Sequence, residues 1–208
     1  MHGLNARAWV DVDLGALLRN GAAFAARAGV PLLPMVKADA YGLGAVPVAR
    51  ALERLNPWGF GVATVQEGEE LRRAGIVRPI VVFTPLLIDD LDDAARAKLT
   101  PTFGARDPIL QWRSTGLPWQ LAIDTGMSRA GVEWDKIDSL LDVIRELPPQ
   151  GAFTHFHSAD SDDDSCGPAN QLLNVAWALC PVHQVGRGKY QSRRDRCSVA
   201  ASSGWGTW

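Results

Sequence analysis

Pro31-Leu32-Leu33-Pro34-Met35-Val36-Lys37-Ala38-Asp39-Ala40-Tyr41-Gly42-Leu43-Gly44 is an apolar run that ends in a lysine and then breaks into a small, glycine-containing loop. A short apolar run without alternation suits a strand covered on both faces, as in a parallel sheet. Five more runs of this texture follow: Trp58–Ala63, Pro79–Pro85, Leu99–Gly104, Trp119–Asp124 and Gly151–Phe156. The stretches between them read as helices, at roughly 43–55, 65–75, 89–97, 106–115 and 134–147. Asp and Glu gather near several of their starts, where they complement the positive end of the helix dipole. Gly75 and Gly116 stand where two of these helices should stop. Strand and helix alternating every 20 to 30 residues or so predicts βα units around a parallel sheet. A doubly wound sheet and a (β/α)8 barrel both fit, and in either one function sits at the C-terminal ends of the strands. The polar residues just past the runs are therefore the candidates: Lys37, Asp39, Tyr41, Thr64, Asp124, Arg129, His155 and His157.

Composition narrows the class. A chain of 208 residues can bury a full core and makes one domain or at most two. Hydrophobic residues at 47% and charged residues at 21% are ordinary for a soluble globular protein. A net charge of −2 gives no reason to expect nucleic acid or a membrane surface as partner. No apolar run approaches the eighteen or so residues of a membrane span, and the first residues lack the charged-then-apolar pattern of a signal peptide. The expectation is a cytoplasmic enzyme. Cys166, Cys180 and Cys197 form no close pair and no C-x-x-C spacing, which argues against both a disulfide framework and a metal site.

The texture changes near residue 160. A polar loop, Asp160 to Ser165, precedes all three cysteines, and the strand–helix rhythm stops except for one helix-like stretch at 169–180. The first 165 residues hold 16 of the 21 basic and 22 of the 23 acidic residues, so the charge balance inverts beyond them. The expected organisation is a barrel unit over 1–165 and an anomalous tail over 166–208, out-of-frame or otherwise foreign to the fold.

Lys37 carries the clearest chemistry. A lysine closing a buried strand keeps its stem covered and presents its amine at the sheet rim. Desolvation there favours the free amine that a Schiff base needs. Gly42 and Gly44 precede a helix, so backbone N–H groups could approach an anion closely. From this segment alone a snorkelling surface lysine remains open.

Met35 to Gly44 resembles the cofactor-lysine motif of alanine racemases, with Leu43 standing where histidine is common. Four further segments resemble the same family, in its order along the chain. Val10 to Leu14 is similar to its opening strand before the first long helix. Gly61 to Ile76 is similar to its "VATxxEAxxLRxAGI" segment, and Asp124 to Val132 to its "DTGMxRLGV" segment, with Thr154-His155-Phe156 after it. The resemblance implies an incomplete (β/α)8 TIM-type barrel of about six βα units. The cofactor it implies is pyridoxal 5'-phosphate, carried covalently by Lys37. Lys37 would also serve as the base on one face of the α-carbon of D-alanine. Tyr41 would bond the cofactor phosphate. Arg129 would lie near the cofactor's phenolic oxygen and the substrate carboxylate, which suits its planar donor fork. His155 would support the pyridine side. The implied activity interconverts L-alanine and D-alanine for cell-wall peptidoglycan, in a homodimer, with a tyrosine from a C-terminal β domain as the opposite base.

The departures are specific. Ala122 stands where the family often has a lysine, the His-x-x-Asn-Ser phosphate segment is not found, and the C-terminal β domain is missing from these 208 residues. One set of codons for Gly188 to Gln191, read one base later, gives Ala-Asn-Thr-Asn, close to that phosphate segment. The alternatives are a non-catalytic pyridoxal-phosphate-binding protein or an inactive fragment of a disrupted racemase gene.

Overall fold

The computed structural model describes residues 9–155, together with the backbone of 188–190 and 199–201. Six parallel strands organise it: β1 (Phe60–Val62), β2 (Ile80–Val82), β3 (Thr100–Phe103), β4 (Gln120–Asp124), β5 (Val132–Glu133) and β6 (Gly151–Thr154). β1 pairs with β2, β2 with β3 and β3 with β4, each in parallel. β4 then pairs in parallel with both β5 and β6. Ahead of β1, residues 31–36 run beside it: Met35 bridges Gly61 in parallel, Val36 N–H donates to Gly61 O at 2.8 Å, and Gly61 N–H donates to Pro34 O at 2.8 Å. The expected first strand is thus reduced to a bridge. Pro31 and Pro34 have no N–H to contribute to a ladder.

Seven helices alternate with the strands: α1 (Leu14–Ala28), α2 (Lys37–Gly42), α3 (Ala45–Leu52), α4 (Val65–Arg73), α5 (Leu91–Arg96), α6 (Arg106–Trp112) and α7 (Leu141–Glu146). The result is an open half-barrel of βα units, as the rhythm of apolar runs predicts. Asp13 caps α1 by accepting Ala16 N–H at 2.9 Å, and Gly29 ends it with φ +67°. Gly116 at φ +62° and Gly75 at φ +88° stand at helix ends, as expected. Two helices, α3 and α6, close in 3-10 turns at 53–55 and 113–115, and residues 134–140 precede α7 in the same form. β5 has no counterpart among the apolar runs.

Alternation along the strands sorts the two faces. Phe60, Val62, Ile80, Val82, Leu121 and Ile123 point outward and join Leu71, Ile109, Trp112 and Ile144 of the helices in one core. The opposite, concave face carries Met35, Gly61, Phe83 and Phe153. A Cβ on Gly61 would strike the Met35 sulfur and come within 2.9 Å of Phe83. The rings of Phe83 and Phe153 meet edge to face at 4.8 Å. Buried Thr100, Thr102 and Gln120 lie deeper on this face, and Gln120 Nε2 donates to Gln150 at 3.1 Å.

Arg72 holds the connections together. Its guanidinium donates to the carbonyls of Ile76, Arg78, Ala97 and Lys98 at 2.7–3.0 Å, joining the turn after α4 to the turn after α5. Partial burial lowers its pKa from the ordinary arginine value. Beyond residue 165 the described backbone consists of β7 (Gly188–Tyr190) and β8 (Val199–Ala201), an antiparallel pair separate from the parallel sheet. The helix expected at 169–180, the three cysteines and His157 lie outside the described residues.

Candidate functional site

Lys37 ends the segment beside β1, half-buried, and opens α2. That turn is left-handed: Ala38, Asp39, Ala40 and Tyr41 have φ of 50°, 54°, 52° and 58°. Left-handed helix costs an L-residue roughly 1–2 kcal/mol, so four in a row persist only where the surroundings over-determine them. Inside the turn, Ala40 N–H donates to Val36 O and Gly44 N–H to Asp39 O, both at 2.9 Å. Asp39 Oδ1 accepts Ala45 N–H at 2.6 Å. From outside, Glu67 Oε1 accepts Ala38 N–H at 2.8 Å. The other Glu67 oxygen accepts Ala63 N–H at 2.7 Å and Thr64 N–H at 3.3 Å, completing a capping box at the start of α4.

The turn reverses the chain sharply enough to bring the Tyr41 ring to Lys37, with Nζ 5.9 Å from the ring centre. Tyr41 is otherwise exposed. Gly42 and Gly44 have φ of +85° and +91° before α3, where the sequence suggests anion-binding amides. The first α3 amide, Ala45 N–H, is already taken by the Asp39 carboxylate.

Arg129 rides on the loop after β4. Asp124 Oδ1 accepts Gly126 N–H at 2.9 Å and Ser128 N–H at 3.0 Å, folding Asp124-Thr125-Gly126-Met127-Ser128 back on itself. Thr125 and Thr154 hydroxyls lie 2.7 Å apart and tie this loop to the end of β6. His155 follows Thr154 and shares the concave face with Phe153. Its pKa is held below the ordinary histidine value, first by partial burial and then by the positive charges of Arg129 and Lys37. Lys37, Arg129 and His155 therefore converge at the C-terminal rim, with Tyr41 beside Lys37. Two cations and a neutral imidazole make a rim suited to an anionic ligand. A half-buried lysine at that rim fits a carbonyl-bearing, phosphorylated cofactor.

Glu67 carries the most bonds here and is absent from the candidates read at strand ends. Its sequence signal is the capping-box spacing Thr64-Val65-Gln66-Glu67. Ala122, at the position where a lysine is common, is buried on the concave face and pairs with Phe153. It supplies no polar group to orient Arg129. Among the described residues there is no cluster of His, Cys, Asp and Glu that could hold a metal ion.

Known proteins agree with this architecture. The profile described as "Alanine racemase, N-terminal domain" matches residues 12–205. The alanine racemase of a Synechocystis strain is 36% identical over 192 residues, covering 86% of this chain and 51% of that protein. The solved alanine racemase of E. faecalis is similar at TM-score 0.73 and 27% identity, over 82% of this chain and 50% of its own. The alanine racemase of Bartonella henselae, solved with covalently bound pyridoxal phosphate, shares the fold at TM-score 0.73 and 21% identity, over 82% of this chain and 51% of its own. The chain thus spans about half the length of the relatives it matches. With its ordered motifs and parallel half-barrel, the chain belongs to the alanine racemase family and corresponds to that family's N-terminal domain.

Proposed function

We propose that the protein to which these residues belong is a pyridoxal-phosphate-dependent racemase that interconverts L-alanine and D-alanine and supplies D-alanine for peptidoglycan. One observation supports this reading above the others: a lysine just past the segment bridged to β1 is held by a left-handed turn at a rim that also gathers Arg129 and His155. Pyridoxal phosphate, when bound, supplies an electron sink that makes an α-proton removable. Lys37 would anchor it and move the proton on the D face of the α-carbon. Tyr41 would donate its hydroxyl to the phosphate. Arg129 would bind the substrate carboxylate and lie near the cofactor's phenolic oxygen. His155, kept neutral, would support the pyridine side without adding a third positive charge.

Racemisation needs a second proton-transferring group on the opposite face. Residues 1–208 contain only Tyr41 and Tyr190 as tyrosines, and the reading gives Tyr41 to the phosphate. These residues are therefore proposed to supply one face of the reaction, with the other face coming from a partner in a homodimer. A cytoplasmic location agrees with the absence, among the described residues, of any helix long and apolar enough to cross a membrane. We keep 1–165 as the barrel unit and 166–208 as a separate tail of different charge and cysteine content. The coding DNA tests that division: a family-like C-terminal domain in no downstream frame would remove the frame-shift account.

The decisive experiment is reductive fixation. Borohydride should fix pyridoxal phosphate on Lys37, with the modified residue located by peptide mass. Fixation undiminished in Lys37→Ala would show that another lysine had been captured. In parallel, D-alanine should exchange its α-proton with solvent deuterium in a Lys37-dependent way, while D-to-L conversion by these residues alone stays at trace level.

A further inference from the structure

We propose that Glu67 is a positioning residue for Lys37: its carboxylate clamps the left-handed turn to the N-terminus of α4 and so fixes where the lysine amine stands. The inference rests on Lys37 as the cofactor lysine, a role that does not itself involve Glu67. Among the described residues, the hydrogen bonds to the backbone of the left-handed residues 38–41 come from within 36–44, with one exception, Ala38 N–H to Glu67 Oε1 at 2.8 Å. Ala38 is the first left-handed residue and the immediate neighbour of Lys37, so this bond acts at the point where the chain changes hand. The second Glu67 oxygen accepts the amides of Ala63 and Thr64, which lead directly out of β1. β1 in turn pairs with the segment that carries Lys37, through Met35 and Gly61. One carboxylate thus closes a loop from the Lys37 turn through α4 and β1 back to the strand that delivers Lys37. A carboxylate accepts on both oxygens, whereas an amide of the same shape accepts on one and must face an N–H with its own donor on the other. Glu67→Gln therefore cannot keep both arms, and its one accepting oxygen satisfies more donors facing Ala63 and Thr64 than facing Ala38, so the Ala38 bond is the one lost.

The closing experiment compares amide hydrogen exchange by NMR in the parent chain, Glu67→Gln, Thr64→Val and Glu67→Gln/Ala38→Gly. Losing a charge-assisted bond at Ala38 should speed its exchange at least about tenfold in Glu67→Gln. Thr64→Val removes the hydroxyl that accepts Glu67 N–H and leaves the carboxylate in place, so Ala38 should exchange as in the parent. Glycine adopts the left-handed region without the Cβ penalty, so Ala38→Gly should restore part of the order of the turn lost in Glu67→Gln. The second readout is the rate at which borohydride fixes pyridoxal phosphate on Lys37. It should fall in Glu67→Gln, recover with Ala38→Gly, and stay unchanged in Thr64→Val. Parental exchange at Ala38 in Glu67→Gln would overturn the clamp, as would no recovery by glycine. If Glu67→Gln alone does not fold, the double variant measured against Ala38→Gly alone carries the same comparison. A parent that fixes no cofactor would defeat the proposed function and leave the exchange data to decide on Glu67.

Discussion

Gly104→Ala isolates the packing that aims the Arg129 loop. Gly104 follows β3, and a Cβ there would lie 2.5 Å from Gly131 Cα, Gly131 C and Val132 N. Carbon atoms in contact sit about 3.5–4.0 Å apart, so the overlap is roughly 1 Å against three atoms at once. All three are backbone, and no side-chain rotation relieves them. The strand that must yield is β5, which is two residues long and pairs only at Ile123–Val132 and Asp124–Glu133. Overpacking usually costs about 1–3 kcal/mol, and rigid backbone neighbours put this case at about 3 kcal/mol. At roughly 2–4 °C per kcal/mol for a chain of this size, the thermal midpoint should fall by ~6–12 °C. Arg129 is two residues from Gly131, so the amide shifts of 129–132 should move as well. Gly75→Ala is the reference: Gly75 has φ +88° with no atom within 4 Å of a built Cβ, so only backbone strain applies. That variant should lose about 1 kcal/mol. A Gly104→Ala midpoint within about 2 °C of the parent, with the 129–132 amides in place, would refute the reasoning.

Three further outcomes are expected. Arg72→Met removes four N–H donations to carbonyls and should cost about 3 kcal/mol by thermal melting, with Arg72→Lys in between because an ammonium lacks the planar fork. His155 has a lowered folded-state pKa, so as pH falls below about 6.5 the unfolded chain takes up the proton first. Stability should therefore drop from that pH down to the folded-state value and then level off. His155→Gln should flatten this part of the urea-midpoint profile. Tyr41→Phe should weaken pyridoxal phosphate binding by about tenfold, the low end for a hydrogen bond to a charged group on an exposed side chain. Equilibrium dialysis reads this directly, and equal affinities would remove Tyr41 from the phosphate.

Sequence by itself determined the fold class and the location of the rim. Buried parallel strands must be apolar on both faces, which leaves runs such as Pro79–Pro85 and Trp119–Asp124 legible without any partner in view. Lys37, Arg129 and His155 were readable for the same reason, since a polar residue past the end of such a run is carried to the rim. Tertiary structure decided the rest. The left-handed turn after Lys37 contradicts the intrinsic preference of Ala38, Asp39, Ala40 and Tyr41, so no propensity could announce it. From outside the turn, a carboxylate 29 residues away accepts Ala38 N–H. β5 is too short to show a pattern, and it forms where Gly104 and Gly131 let two backbones meet. The first strand shrank to a bridge because its prolines supply no amide, though its pairing with Gly61 survives through Val36 and Pro34. Periodicity is local and therefore written in the sequence. A clamp between distant backbone amides is a matter of distance in space, which only the folded chain fixes.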